Sequence, residues 1–164
     1  MKNTDYSKME LTGLPSSFFE ANRKKYFELV PKVIKDFDPD TILVLKGGEE
    51  IPRYDTDVIY YHFYQEASFY YLTGVIEPGL NAAVDFRSNQ IVLFYEQPAE
   101  DTKVWQSVVS AEEISKKYSL EVQKKEELYD WLENRNPKFI CKLDGVNDVS
   151  GLPLPAFIFT FEEH

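Results

Sequence analysis

Two apolar runs, 80–86 and 90–95, are separated only by Arg87-Ser88-Asn89, and this constrains the fold more than any other feature of the chain. Turn-forming residues between two such runs predict a β-hairpin. Pro78-Gly79 marks the turn that leads into it. A third run, 41–45 (Thr-Ile-Leu-Val-Leu), is closed by Gly47-Gly48 and predicts a buried strand ended by a tight turn. Short runs at 58–64, 120–122 and 139–143 predict further strands.

Helical patterns fall between these runs. Phe19, Tyr26, Phe27, Val30, Val33, Ile34 and Phe37 recur at helical spacing behind a capping box of Ser17 and Glu20. Pro31 predicts a kink or break at Val30, and Asp38-Pro39-Asp40 ends the pattern. Ser68 is the expected cap of a short helix stopped at Gly74. Ser110 and Glu113 form a second capping box before a helix ending near Tyr118. Leu128, Trp131 and Leu132 mark a last helix, stopped before Pro137. Strands alternating with helices, plus one hairpin, predict an α/β domain with a mixed β-sheet flanked by helices.

Composition limits the function. The chain has 164 residues, which suits one domain, and aromatics reach 15%, with 11 Tyr and 12 Phe, which a disordered chain would lack. A net charge of −10 argues against nucleic acid as a partner, because phosphate contacts need clustered Lys and Arg. Cys141 is the only cysteine, so no intramolecular disulfide forms, which fits a reducing, cytoplasmic setting. The charged start, Met1 to Asp5, lacks a signal-peptide core, and no apolar run approaches the roughly 20 residues of a membrane span. The only histidines are His62 and His164, too few for a zinc site built from His and Cys.

The densest polar cluster is Glu49, Glu50, Asp55, Asp57, His62 and Glu66. It offers oxygen ligands or a carboxylate pair, but its spacing matches no calcium loop, and solvated loop carboxylates explain it better. Gly47-Gly48 lacks phosphate-loop spacing. Cys141, between Ile140 and Lys142, is expected to be a buried, inert thiol. The Lys116-Lys117 and 124–127 charge runs are expected to be solvated. Seven aromatics between Tyr60 and Tyr71 are expected mainly in the core, with some left for an interface. Trp105, among loop-like residues, is a candidate binding anchor.

Three blocks stand in order: Gly47-Gly48-Glu49-Glu50 with Arg53-Tyr54 and Thr56-Asp57; 65–74, reading Gln-Glu-Ala-Ser-Phe-Tyr-Tyr-Leu-Thr-Gly; and Glu77-Pro78-Gly79. With Leu93-Phe94, Trp105 and Gly145-Val146-Asn147, the chain from about residue 14 onward resembles the N-terminal domain of the creatinase/prolidase/aminopeptidase P family, above all its Xaa-Pro dipeptidases. The resemblance implies an N-terminal extension at 1–15 and an accessory domain at 16–164. A separate "pita-bread" catalytic domain, absent from this chain, would hold two Mn²⁺ through two Asp, two Glu and a His and hydrolyse Xaa-Pro dipeptides. The accessory domain would build a homodimer and narrow access to the active site, with no activity of its own. The resemblance also implies that Trp105 enters the partner subunit's substrate pocket. Gln106-Ser107 departs from the usual Met-Gly after that tryptophan, and Tyr64 stands where many relatives have Arg. Two other readings follow from the same fold: the N-terminal domain of an aminopeptidase P, or a non-catalytic protein-binding module. The apolar tail (Phe157, Ile158, Phe159, Phe161) stops abruptly at 164, so the chain is expected to be a piece of a longer protein.

Overall fold

The computed structural model describes residues 14–50, 63–96 and 109–143. The elements run α1 (Ser16–Val33), β1 (Thr41–Lys46), α2 (Ala67–Thr73), β2 (Leu80–Asp85), β3 (Gln90–Tyr95), α3 (Ala111–Tyr118), β4 (Glu121–Lys124), α4 (Leu128–Arg135) and β5 (Phe139–Lys142). The strands form one mixed sheet in the order β4-β3-β2-β1-β5. The hairpin β2–β3 pairs Leu80 with Tyr95 and Asp85 with Gln90, while β1–β5 and β3–β4 are parallel. The predicted mixed sheet flanked by helices is therefore the fold observed.

Alternation along the strands splits the core in two. Leu45, Leu80, Ala82, Val84, Leu93 and Tyr95 belong to the larger core cluster, with Phe69 and Leu72 of α2 and Ile114 and Tyr118 of α3. Phe86 gathers the aromatics of α1 and the segment after it, with ring centroids of Tyr26, Phe27 and Phe37 at 5.8, 5.5 and 5.0 Å. On the other face Ile42, Val44, Ala83, Val92 and Phe94 pack under Leu128 and Leu132 of α4, and Trp131 meets Phe94 edge-on at 5.7 Å. Strands β2 and β3 are thus covered on both faces, which is why they read as nearly continuous apolar runs.

Several expectations need correction. Helix α1 starts after Pro15, and no side chain caps it, so Ser17 lies within the helix. Pro31 does not break α1: it falls in the last turn, and the Ile34 amide still donates to the Val30 carbonyl at 3.0 Å. The periodic pattern runs past the buried face, since Val33 is 77% exposed and Ile34 is also exposed. Helix α2 is capped by Glu66 rather than Ser68. Cys141 is exposed, because β5 is an edge strand of the described sheet and mostly uncovered. Of the predicted strand at 58–64, residues 58–62 lie outside the described residues, and Phe63 and Tyr64 are not in a strand.

Candidate functional site

Pair directions decide which end of the sheet matters. Strands β1, β3, β4 and β5 all run the same way, with β2 opposed. The chain leaves β1 at Gly47, β3 at Glu96 and β5 at Leu143 from one end, where β2 begins at Leu80. The C-terminal ends of like-running strands are where open α/β sheets place ligand-contacting segments. Trp105 lies outside the described residues, between β3 and α3 in sequence.

The opposite end is locked by charge. Lys138 pairs with Asp38 at 2.6 Å, Arg87 with Asp40, and Arg135 with Asp85 at 2.9 Å. The Asp85 carboxylate, only 3% exposed, also accepts from the Arg87 and Ser88 amides at 2.9 and 3.3 Å and from the Ser88 hydroxyl at 2.8 Å. The Lys138 ammonium, and then the Asp40 amide, hold the Asp38 carboxyl below its ordinary value.

At the strand-exit end, backbones approach so closely that side chains do not fit. The Gly47 amide donates to the Leu80 carbonyl at 2.8 Å, and the Gly79 amide to the Gly48 carbonyl at 2.9 Å. A Cβ on Gly47 would lie 2.6 Å from the Leu80 oxygen, and one on Gly48 2.8 Å from the Tyr64 oxygen. Gly47-Gly48 is therefore needed for space, not as the tight turn expected. Gln65 closes the arrangement: its Oε1 accepts from the Gly48 amide at 2.6 Å and the Glu66 amide at 3.0 Å, and its Nε2 donates to the Glu77 carbonyl at 2.9 Å.

Among the described residues, the carboxylates singled out in the sequence, Glu49, Glu50 and Glu66, are not brought together as a site. Glu66 is committed to capping α2, accepting from the Ser68 and Phe69 amides at 3.0 and 2.7 Å. Glu49 pairs with Lys46 at 2.8 Å, and Glu50 is exposed. Asp55, Asp57 and His62 lie outside the described residues. Among the described residues no three His, Cys, Asp or Glu side chains gather as metal ligands. The donor set for two divalent metals is not supplied by them.

Gln65 and Glu77 were not singled out as site residues. Glu77 receives Lys117 at 2.9 Å and is 13% exposed. Its Oε2 is buried with no hydrogen-bond partner. Lys117 is exposed, as expected, and this pair holds its ammonium at Glu77. The neighbouring Tyr118 hydroxyl accepts from the Ile76 amide at 3.3 Å, and burial raises the Tyr118 pKa. Burial works against the Lys117 ammonium, but its hydrogen bonds to Tyr118 and Glu77 outweigh this and raise its pKa. The sequence signal for both was membership of the blocks that carry the family resemblance, Gln65 opening 65–74 and Glu77 opening Glu77-Pro78-Gly79.

Comparison with known proteins identifies the domain as a whole. The family model for the aminopeptidase P N-terminal domain matches residues 19–138. The chain belongs to this family. As an aminopeptidase P N-terminal domain, it is 33% identical over 146 residues to the Xaa-Pro dipeptidase of Rattus norvegicus, a match covering 87% of this chain and 29% of that protein. The chain thus spans under a third of the length of such curated relatives. The Pseudomonas aeruginosa aminopeptidase PepP superposes with a TM-score of 0.66 at 20% identity, covering 84% of this chain and 30% of that one. A zinc-substituted Escherichia coli aminopeptidase P in complex with product gives a TM-score of 0.61 at 16% identity, over 77% and 28% of the two chains. At these identities the structural matches speak for the fold alone.

Proposed function

We propose that this domain is the accessory part of a metal-dependent Xaa-Pro dipeptidase, where it assembles the homodimer and restricts the active site to short peptides. The observation that carries the reading is the 33% identity to an Xaa-Pro dipeptidase over 146 residues. The divalent metals, Mn²⁺ in this proposal, belong to a catalytic domain elsewhere in the longer protein. What this chain contributes is shape. Backbones pressed together at Gly47 and Gly48 make a stiff rim, and a stiff rim excludes long peptides sterically. Trp105 would line the partner subunit's pocket, and the protein would work in the cytoplasm.

The test is a comparison of substrates in the full-length enzyme. An Xaa-Pro dipeptide should be hydrolysed in preference to longer peptides beginning Xaa-Pro. Trp105→Ala should raise KM for the dipeptide more than it lowers kcat. Unchanged kinetics in that variant would remove Trp105 from the pocket. Preference for longer peptides would instead favour an aminopeptidase P, whose fold the chain shares.

A further inference from the structure

Ion pairs stand at both ends of the sheet, but at the strand-exit end one uncharged side chain, Gln65, ties the crossing backbones together. Gln65 joins three stretches of chain that are distant in sequence: Gly48 after β1, Glu66 at the cap of α2, and Glu77 before β2. A carboxamide suits this place because it carries an acceptor and a donor on one planar group. An ionised carboxylate has no donor, and leucine has neither. The residue before it, Tyr64, is 83% exposed, and its carbonyl lies where no Cβ on Gly48 fits. The clasp therefore holds a large aromatic out in solvent on a backbone without slack.

We propose that Gln65 is a positioning residue for peptide selection: its carboxamide fixes the rim made by 47–50, 63–66 and 77–79 and presents Tyr64 to an incoming short peptide. This rests on the dipeptidase reading above. Tyr64 is the contact group, and Gln65 acts through it. Accuracy at such a contact depends on the layer that supports it.

The first test needs no activity. In this chain, Gln65→Leu should strip hydrogen-exchange protection from the Gly48 and Glu66 amides, and retained protection would overturn the clasp. The second uses the full-length enzyme. Gln65→Leu should raise KM for an Xaa-Pro dipeptide about tenfold, the equivalent of one lost hydrogen bond, and weaken the preference for dipeptides over tripeptides. Gln65→Glu should show the same defect at pH 8 and partly recover towards pH 5, where the protonated carboxyl regains a donor for the Glu77 carbonyl. Arg135→Met, a lesion at the opposite end, serves as the stability control. If the Gln65 variants change KM and length preference no more than Arg135→Met does, Gln65 is merely structural and the proposal fails. If the unmutated enzyme hydrolyses no Xaa-Pro dipeptide, the dipeptidase reading fails instead, whatever the exchange data show.

Discussion

At the scale of single residues, two glycines separate conformational strain from lack of space. Gly74 and Gly79 both have positive φ, 73° and 76°. A Cβ on Gly74 would lie 2.5 Å from the Phe19 ring, whereas one on Gly79 meets nothing within 4 Å. Gly79→Ala should therefore cost about 1 kcal/mol, the left-handed penalty alone. Gly74→Ala should cost about 3 kcal/mol, because overpacking against Phe19 adds to that penalty. Urea denaturation of the two variants checks the order, and equal losses would contradict it. The glycines were legible in the sequence as stops and turns, but their crowding was not. What crowds Gly74 is Phe19, far away in the chain. Cys141 was misjudged for a related reason: its neighbours look like a core strand, but strand order decides whether that strand is central or at an edge.

At the scale of elements, local chemistry was the most legible part. Ser110 and Glu113 form a complete capping box, with the Glu113 amide donating to the Ser110 hydroxyl at 3.2 Å and the Ser110 amide to Glu113 at 2.8 Å. Ser110→Ala should lower stability by about 1 kcal/mol in thermal or urea unfolding. Hydrogen bonds from the Ser110 amide, and then its hydroxyl, depress the Glu113 pKa below its ordinary 4.5. A depressed folded-state pKa means the stabilisation is fully present above about pH 4.5 and is lost as pH falls through the folded value. The gap in unfolding midpoint between the unmutated chain and Glu113→Ala should therefore close on acidification. A gap that persists at pH 2 would contradict the assignment. The hairpin was equally legible, because its turn lies between its strands. The cap of α2 was not, since a Glu at that position competes with a Ser two residues later. Only the backbone path shows that the Glu66 carboxylate spans two amides.

At the scale of the whole molecule, the end of the sheet before β1 and β5 is fastened by three ion pairs that join segments distant in sequence. Arg135→Met should cost about 2 kcal/mol by leaving buried Asp85 without its cation, less than a fully isolated buried charge because Asp85 keeps three other donors. Chemical denaturation reads that loss. The strand composition made the layered α/β fold legible, but strand order was not, because parallel pairs such as β1–β5 join segments about a hundred residues apart. For the same reason the sequence did not show that Gly48, Gln65 and Glu77 meet, although each stood in a recognisable block. In the function proposed above, this domain shapes access to the active site of an Xaa-Pro dipeptidase whose chemistry lies in another domain. The most direct test of that function is hydrolysis of a Gly-Pro dipeptide with Mn²⁺, measured for the full-length protein and for this chain alone. The full-length protein should turn the dipeptide over and this chain should not; turnover by this chain alone, or none by either, would overturn the proposed function.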